Sequence, residues 1–156
     1  MSITRDSYHY LVTLLNTVFP ASAGWYRLGD PNDVSENFGA FLAKGWCLIP
    51  DSGENTNRNL CSLHTFRRTY TVQLSVQIYG AGTTYDGYDD SVKDILEASE
   101  DLQLAIIADQ TMGSDNEGIV ARYINDSGII PIEAEDGKSK YLTMTVSLDI
   151  EIFNTY

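Results

Sequence analysis

The chain has 156 residues, 43% of them apolar, and sets ten Lys and Arg against 22 Asp and Glu for a formal net charge of −12. That length predicts one domain over residues 1–156, and the apolar content suffices for a packed core, which excludes a disordered chain. The acid excess excludes a protein that grips nucleic-acid phosphates or an anionic membrane through clustered Lys and Arg, and no stretch approaches the ~20 apolar residues of a membrane helix.

Asp6, Ser7 and His9 interrupt any signal-peptide core, so the chain is expected to remain in the cytoplasm that makes it, with Cys47 and Cys61 as free thiols. Residues 3–19 read as a helix, because Tyr8, Leu11, Val12, Leu15, Val18 and Phe19 recur at helical spacing and Pro20 ends the run. A short strand is predicted at 25–28, a turn-rich loop at 29–37, a strand at 41–49 and a polar loop at 51–59. Residues 69–78 then alternate, with Tyr70, Val72, Leu74, Val76 and Ile78 on one face and Thr69, Thr71, Gln73, Ser75 and Gln77 on the other. A polar loop at 80–90 leads to a helix at 90–108, capped at Ser91, whose apolar stripe is Val92, Ile95, Leu96, Leu102 and Ile106. A strand at 118–125, a turn at Asp126–Gly128, an apolar stretch at 129–132 and a charged loop at 133–140 follow. Residues 142–152 alternate again, with Leu142, Met144, Val146, Leu148, Ile150 and Ile152 opposite Thr143, Thr145, Ser147, Asp149 and Glu151.

Alternation of this kind means a sheet with one buried and one wet face. The prediction is an α+β domain with two long alternating strands and two helices packed on the same face of the sheet. The wet face is rich in hydroxyl and amide groups, which a neighbouring subunit can cover without stranding charge.

Few residues invite chemistry. A Cys61/His64 pair is the nearest approach to a nucleophile with a base, and no nucleophile signature surrounds it. Asp86, Asp89 and Asp90 lack the ligand order of a calcium loop and read as a polar turn leading into a helix, with Asp89 and Asp90 suited to the helix start, where the backbone dipole favours acids. Gly80-Ala81-Gly82 lacks the Lys and further glycines of a phosphate loop. No catalytic, metal or cofactor site is expected.

Charge is more informative. Asp90, Asp94, Glu97 and Asp101 recur at helical spacing and fall within about a 60° sector. Such neighbours repel by a few tenths of a kcal/mol per pair. Either the stripe is simply solvated, or it meets a basic partner or lines a passage. Arg67 and Arg68 open the first long strand and point to opposite faces, either exposed at the strand end or set against a carboxylate of another subunit.

The succession of RRTYTVQLSVQIYG, YDDSVKDILEASEDLQLAII, INDSGIIP and YLTMTVSLDIEIF, behind an amphipathic helix with a Pro stop, resembles the tail terminator (tail completion) proteins of bacteriophages with long non-contractile tails. The likeness covers nearly the whole chain in element order and strand character, and departs from the family over residues 51–64. It implies a mainly antiparallel sheet with helices on one side and a homohexameric ring on the head-proximal end of the tail tube. It further implies contact with the tail tube protein and with head-completion (connector) proteins, a place in the virion neck, no enzymatic activity and no cofactor. Arg67, Arg68, Asp86, Asp89, Asp90, Asp94, Glu97 and Asp101 are the candidate assembly or lumen residues by their charge and placement. A ring of six would carry six times −12, or −72, formal charges, so DNA would slide through its lumen rather than adhere. The alternatives are another ring adaptor of the phage neck, or a small cytoplasmic enzyme or ligand-binding module.

Overall fold

The computed structural model describes residues 3–29, 34–55, 63–78, 85–111, 119–133 and 140–155. In chain order these form α1 (Ile3–Val18), a 3₁₀ turn (Ala21–Ala23), β1 (Tyr26–Arg27), α2 (Val34–Lys44), β2 (Gly45–Asn55) and β3 (Leu63–Gln77). Then come α3 (Tyr85–Ala108), β4 (Ile119–Asp126), β5 (Ile130–Glu133) and β6 (Lys140–Thr155). The fold is α+β, with one six-stranded sheet in the order β1-β2-β3-β6-β4 and β5 paired to β6 beside β4. Only β1 on β2 is parallel.

The two alternating runs are the centre of that sheet. β3 and β6 pair antiparallel from Leu63↔Thr155 to Gln77↔Tyr141 without a break in register. Tyr70, Val72, Leu74 and Val76 lie beside Leu148, Val146, Met144 and Leu142 and are all buried. Helices α1 and α3 pack over this face. Leu11, Leu15 and Phe19 come from the first helix, and Ile95, Ala98, Leu102 and Ile106 from the second. Phe19 sits 4.8 Å from the Trp25 ring and 6.4 Å from Trp46, closing one end of the core with aromatic surface. The Tyr10 hydroxyl donates to the Asp109 carboxylate and ties α1 to the residue just beyond α3. That hydrogen bond is the main reason the Tyr10 phenol titrates above its usual range.

Three predicted boundaries are corrected. A third helix, α2, occupies residues placed in a loop (29–37) and at the start of a strand (41–49), so the described residues hold three α-helices where two were expected. Only α1 and α3 share a face: the end of α2 lies against the other one, where Ser75 Oγ donates to Leu42 O at 2.8 Å. Helix α2 passes straight into β2 at Gly45, with no turn residue between them. β2 then runs on to Asn55, so residues 51–55 are strand, while 56–62, with Cys61, lie outside the described residues. α3 begins at Tyr85, which puts Ser91 inside it, not at its cap. Ser91 is buried, its Oγ 3.0 Å from both Gln77 O and Gly87 O, and so fastens the helix to the end of β3. The turn expected at Asp126–Gly128 is present: Asp126 Oδ1 accepts the Gly128 N–H at 2.8 Å, and Gly128 takes the left-handed φ of 73° that its missing side chain permits. The loop predicted at 80–90 is helix from Tyr85 onward, and 79–84 lies outside the described residues. Glu133 and Lys140 are strand ends, and 134–139 is likewise outside.

Among the described residues, the outer strand β2 is covered by β1 only at Gly45 and Trp46. Leu28 N donates to Trp46 O, so residues 46, 48 and 50 turn their backbone groups toward the open edge. Pro50, at one of these positions, has no N–H to offer there.

Candidate assembly surfaces

Helix α3 presents two stripes to solvent. Asp90, Asp94, Glu97 and Asp101 are exposed on one flank, as their spacing predicts, and Asp89 is exposed at the same end. Asp86 lies in the first turn of α3, its side chain outside the described residues. Asp94, Glu97 and Asp101 border a cleft of about 160 Å³ whose other walls include Phe19, Trp25 and Lys44. The Lys44 ammonium is spent on Ala23 O at 2.8 Å and on the Trp25 ring at 5.1 Å. Beside the acids runs an apolar stripe. Leu96, Leu104 and Ile107 are 48%, 56% and 55% exposed, and at 100° per residue they share one side of the helix. Leu96 therefore leaves the core stripe predicted for it, since the core takes Ala98 and Ser99 instead.

The second surface is the sheet face turned away from α1 and α3. Its registers set Cys47 and Ile49 of β2 beside Gln73 and Thr71, and Ile130 and Ile132 of β5 beside Thr143 and Tyr141. Ile49, Ile130 and Ile132 are exposed. Phe41 and Leu42 of α2 and Ile132 of β5 flank a depression of about 230 Å³ floored by Gln73, Thr143 and Thr145. Cys47 is a free thiol that burial pushes above its usual pKa, against a smaller opposing pull from Arg27.

Further along the same face lies a charge cluster. Arg67 of β3 and Arg122 of β4 flank Asp149 of β6 at 3.9 and 3.7 Å, and Arg122 Nη1 donates to Glu151 Oε2 at 2.8 Å. The side chains of Asp149 and Glu151 are 7% and 17% exposed, against 41% and 44% for Arg67 and Arg122. The carboxylates are the inner layer, and the guanidinium groups are what an approaching molecule meets. Asp149 Oδ1 is buried and accepts no hydrogen bond from the described residues. Loss of hydration outweighs both arginines and raises the Asp149 pKa.

A stability prediction follows from that direction. A carboxyl whose folded pKa exceeds its unfolded one imposes a cost that is fully present above the folded value. The cost disappears as pH falls toward the ordinary carboxylate value of 3.8. Asp149→Asn carries no such cost. Its melting temperature relative to the wild type is therefore expected to be highest near neutral pH and to decline as pH is lowered toward about 4. Parallel melts of the two proteins across that range check it, and a gap that does not change with pH contradicts it.

The structure separates the candidate residues instead of gathering them. Arg67 is on the open sheet face, 3.9 Å from the Asp149 carboxylate of its own chain. Arg68 turns away, donates to Asp51 O at 2.7 Å and lies over the Phe66 ring at 5.3 Å. The α3 acids sit on the opposite side of the domain, because α3 packs on the other sheet face. Cys61 and the His64 side chain lie outside the described residues. Among the described residues no three His, Cys, Asp or Glu side chains converge in a way that would hold a metal ion, and no helix is long and apolar enough to cross a membrane. The Arg122–Asp149–Glu151 cluster was not anticipated, although Asp149 and Glu151 interrupt an otherwise neutral strand face. No family model matches the chain, and no curated protein matches it.

Proposed function

We propose that this chain is a structural protein of a long-tailed bacteriophage, a tail terminator whose subunits form a ring on the head-proximal end of the tail tube. One observation carries the proposal. Of the eight large apolar side chains exposed among the described residues, three lie on the outside of α3 and three on the open face of the sheet, on opposite sides of one domain. Two unlike surfaces facing away from each other suit head-to-tail contact, which closes into a ring when the rotation per subunit allows. The element order, the two long central strands and the hydroxyl- and amide-rich part of the open sheet face agree with the family that the sequence resembles.

Capping is then a matter of geometry. The ring binds the growing face of the tube and offers a different face above, so that no further tube ring adds and the head-completion proteins dock in its place. Each contact repeats around the ring, and modest contacts per subunit sum to a stable joint. The protein needs no cofactor for this role. The decisive experiment is infection with phage lacking the protein. Tails of abnormal and variable length, unjoined to heads, are the expected result under electron microscopy. Tails of normal length would exclude the role.

A further inference from the structure

We infer that the two surfaces are each other's partner: the outer side of α3 in one copy seats on the open sheet face of the next. The inference rests on the ring reading and names the contact that builds it. Among the described residues, α1 and α3 cover one face of the sheet and only the end of α2 meets the other, which is thus short of a layer that an amphipathic helix from a neighbour can supply.

Apolar and charged parts coincide along the two surfaces. The outer side of α3 is apolar toward its C-terminal end, at Leu104 and Ile107, and mixed one to three turns earlier, where Glu97 and Glu100 stand beside the exposed Leu96. Seven residues separate Glu97 from Leu104 and Glu100 from Ile107, about 10 Å along a helix. On the sheet face, the depression at Gln73, Thr145 and Ile132 is the apolar seat, and the exposed guanidinium groups of Arg67 and Arg122 surround Asp149. Thr145 and Asp149 are four residues apart on β6, about 13 Å along a strand. With Leu104 and Ile107 in the seat, Glu97 and Glu100 lie over the arginines. The pairing brings acid to base in a chain where acids outnumber bases by more than two to one. Reversed along its axis, the helix would set its acids on the isoleucines and its leucine on the guanidinium groups, so the charges also fix direction. One molecule cannot satisfy both surfaces by itself, because they face opposite ways. A two-fold pair joined through α3 alone would leave the open sheet face of both copies uncovered.

The test uses two exposed double variants. Leu104→Lys with Ile107→Lys spoils the helix side, and Gln73→Lys with Ile132→Lys spoils the sheet side. All four positions are exposed, so circular dichroism and melting temperature should stay at wild-type values. Light scattering after size exclusion, at matched high concentration, should show multi-subunit assemblies for the wild type. Each variant alone should associate at least about tenfold more weakly. An equimolar mixture retains one intact helix side and one intact sheet side. It should give a two-subunit complex and nothing larger. Folded variants that assemble like the wild type, or a mixture that does not pair, would overturn this contact while leaving a ring built otherwise. A wild type that stays monomeric throughout would overturn it too. In either case the ring reading is judged separately, by tail length in infections lacking the protein.

Discussion

Val146→Asp is expected to abolish the cooperative fold. Val146 is fully buried at the middle of β6, between Val72 of β3 and Asp126 of β4 in register, and its side chain enters the core that α1 and α3 cover. An ionised carboxyl there would lose its hydration with no cation inside the core to replace it. The cost of burying an unpaired charge competes with the whole stability of a domain, about 5–15 kcal/mol. Protonation does not rescue the variant, since a neutral carboxyl without a partner still costs roughly 1–3 kcal/mol and the valine packing is gone. Circular dichroism should show no sigmoidal melt, and limited proteolysis should degrade the chain under conditions that spare the wild type. Val146→Ala, which only removes methyl groups, should lose about 2 kcal/mol and melt cooperatively at a lower temperature. A wild-type melt for Val146→Asp would mean that the core has been misplaced.

Gly45→Ala is expected to cost about 2–3 kcal/mol, although it adds a single methyl group. Gly45 is the first residue of β2, directly after the last turn of α2. A Cβ at this position would lie 2.5 Å from Phe41 O and 2.6 Å from Phe41 Cα. Both are backbone atoms of a residue whose side chain is buried, so neither can swing aside as a long side chain would. To make room, the helix must tilt away from the sheet, or the strand must give up its pairing of Gly45 with Ser75. Gly39→Ala provides the contrast. Nothing stands within 4 Å of its added Cβ, and the position is exposed within α2. That substitution should stabilise the protein by about 0.5–1 kcal/mol, since alanine gives up less chain entropy than glycine in a helix. Thermal melts of the two variants should therefore move in opposite directions. A neutral Gly45→Ala would show that the junction is looser than drawn.

The parts of the fold that were legible in the sequence are those where one periodicity runs for many residues. β3 and β6 alternate because one face lies under α1 and α3 while, among the described residues, only the end of α2 meets the other, and that asymmetry leaves its mark on every second residue. α1 was legible for the same reason at helical spacing. Helix α2 was hidden. Phe38, Phe41 and Leu42 have helical spacing, but Trp46, Cys47, Leu48 and Ile49 follow at once, and the usual turn residues between a helix and a strand are missing. The apolar run therefore read as one strand, and Gly45, which makes the abrupt change possible, looked like an interruption within it. The start of α3 was set too late because Ser91 resembles a cap. Its hydroxyl instead serves carbonyls on β3 and in the preceding helical turn.

The candidate surfaces were half legible. The acidic stripe of α3 follows from spacing alone, and the structure exposes it as predicted. Which leucines face outward depends on how the helix rotates against the sheet. Buried Ala98 and Ser99 show that small residues take part of the contact, and Leu96 is left outside as a result. The burial of Asp149 was beyond local pattern altogether. It depends on Arg67 and Arg122, which lie 82 and 27 residues away along the chain and become neighbours only through strand pairing.

Pro50 has a bearing on how the protein is kept apart from unrelated chains. In a crowded cell, an outer strand with all its amides free is a template on which any stray chain can crystallise as further strand. An imino acid facing that edge leaves a gap in the row of donors and shortens the stretch that a foreign strand could grip. A chain guarded in this way is less open to chance pairing along this edge, whatever its other surfaces are built to meet.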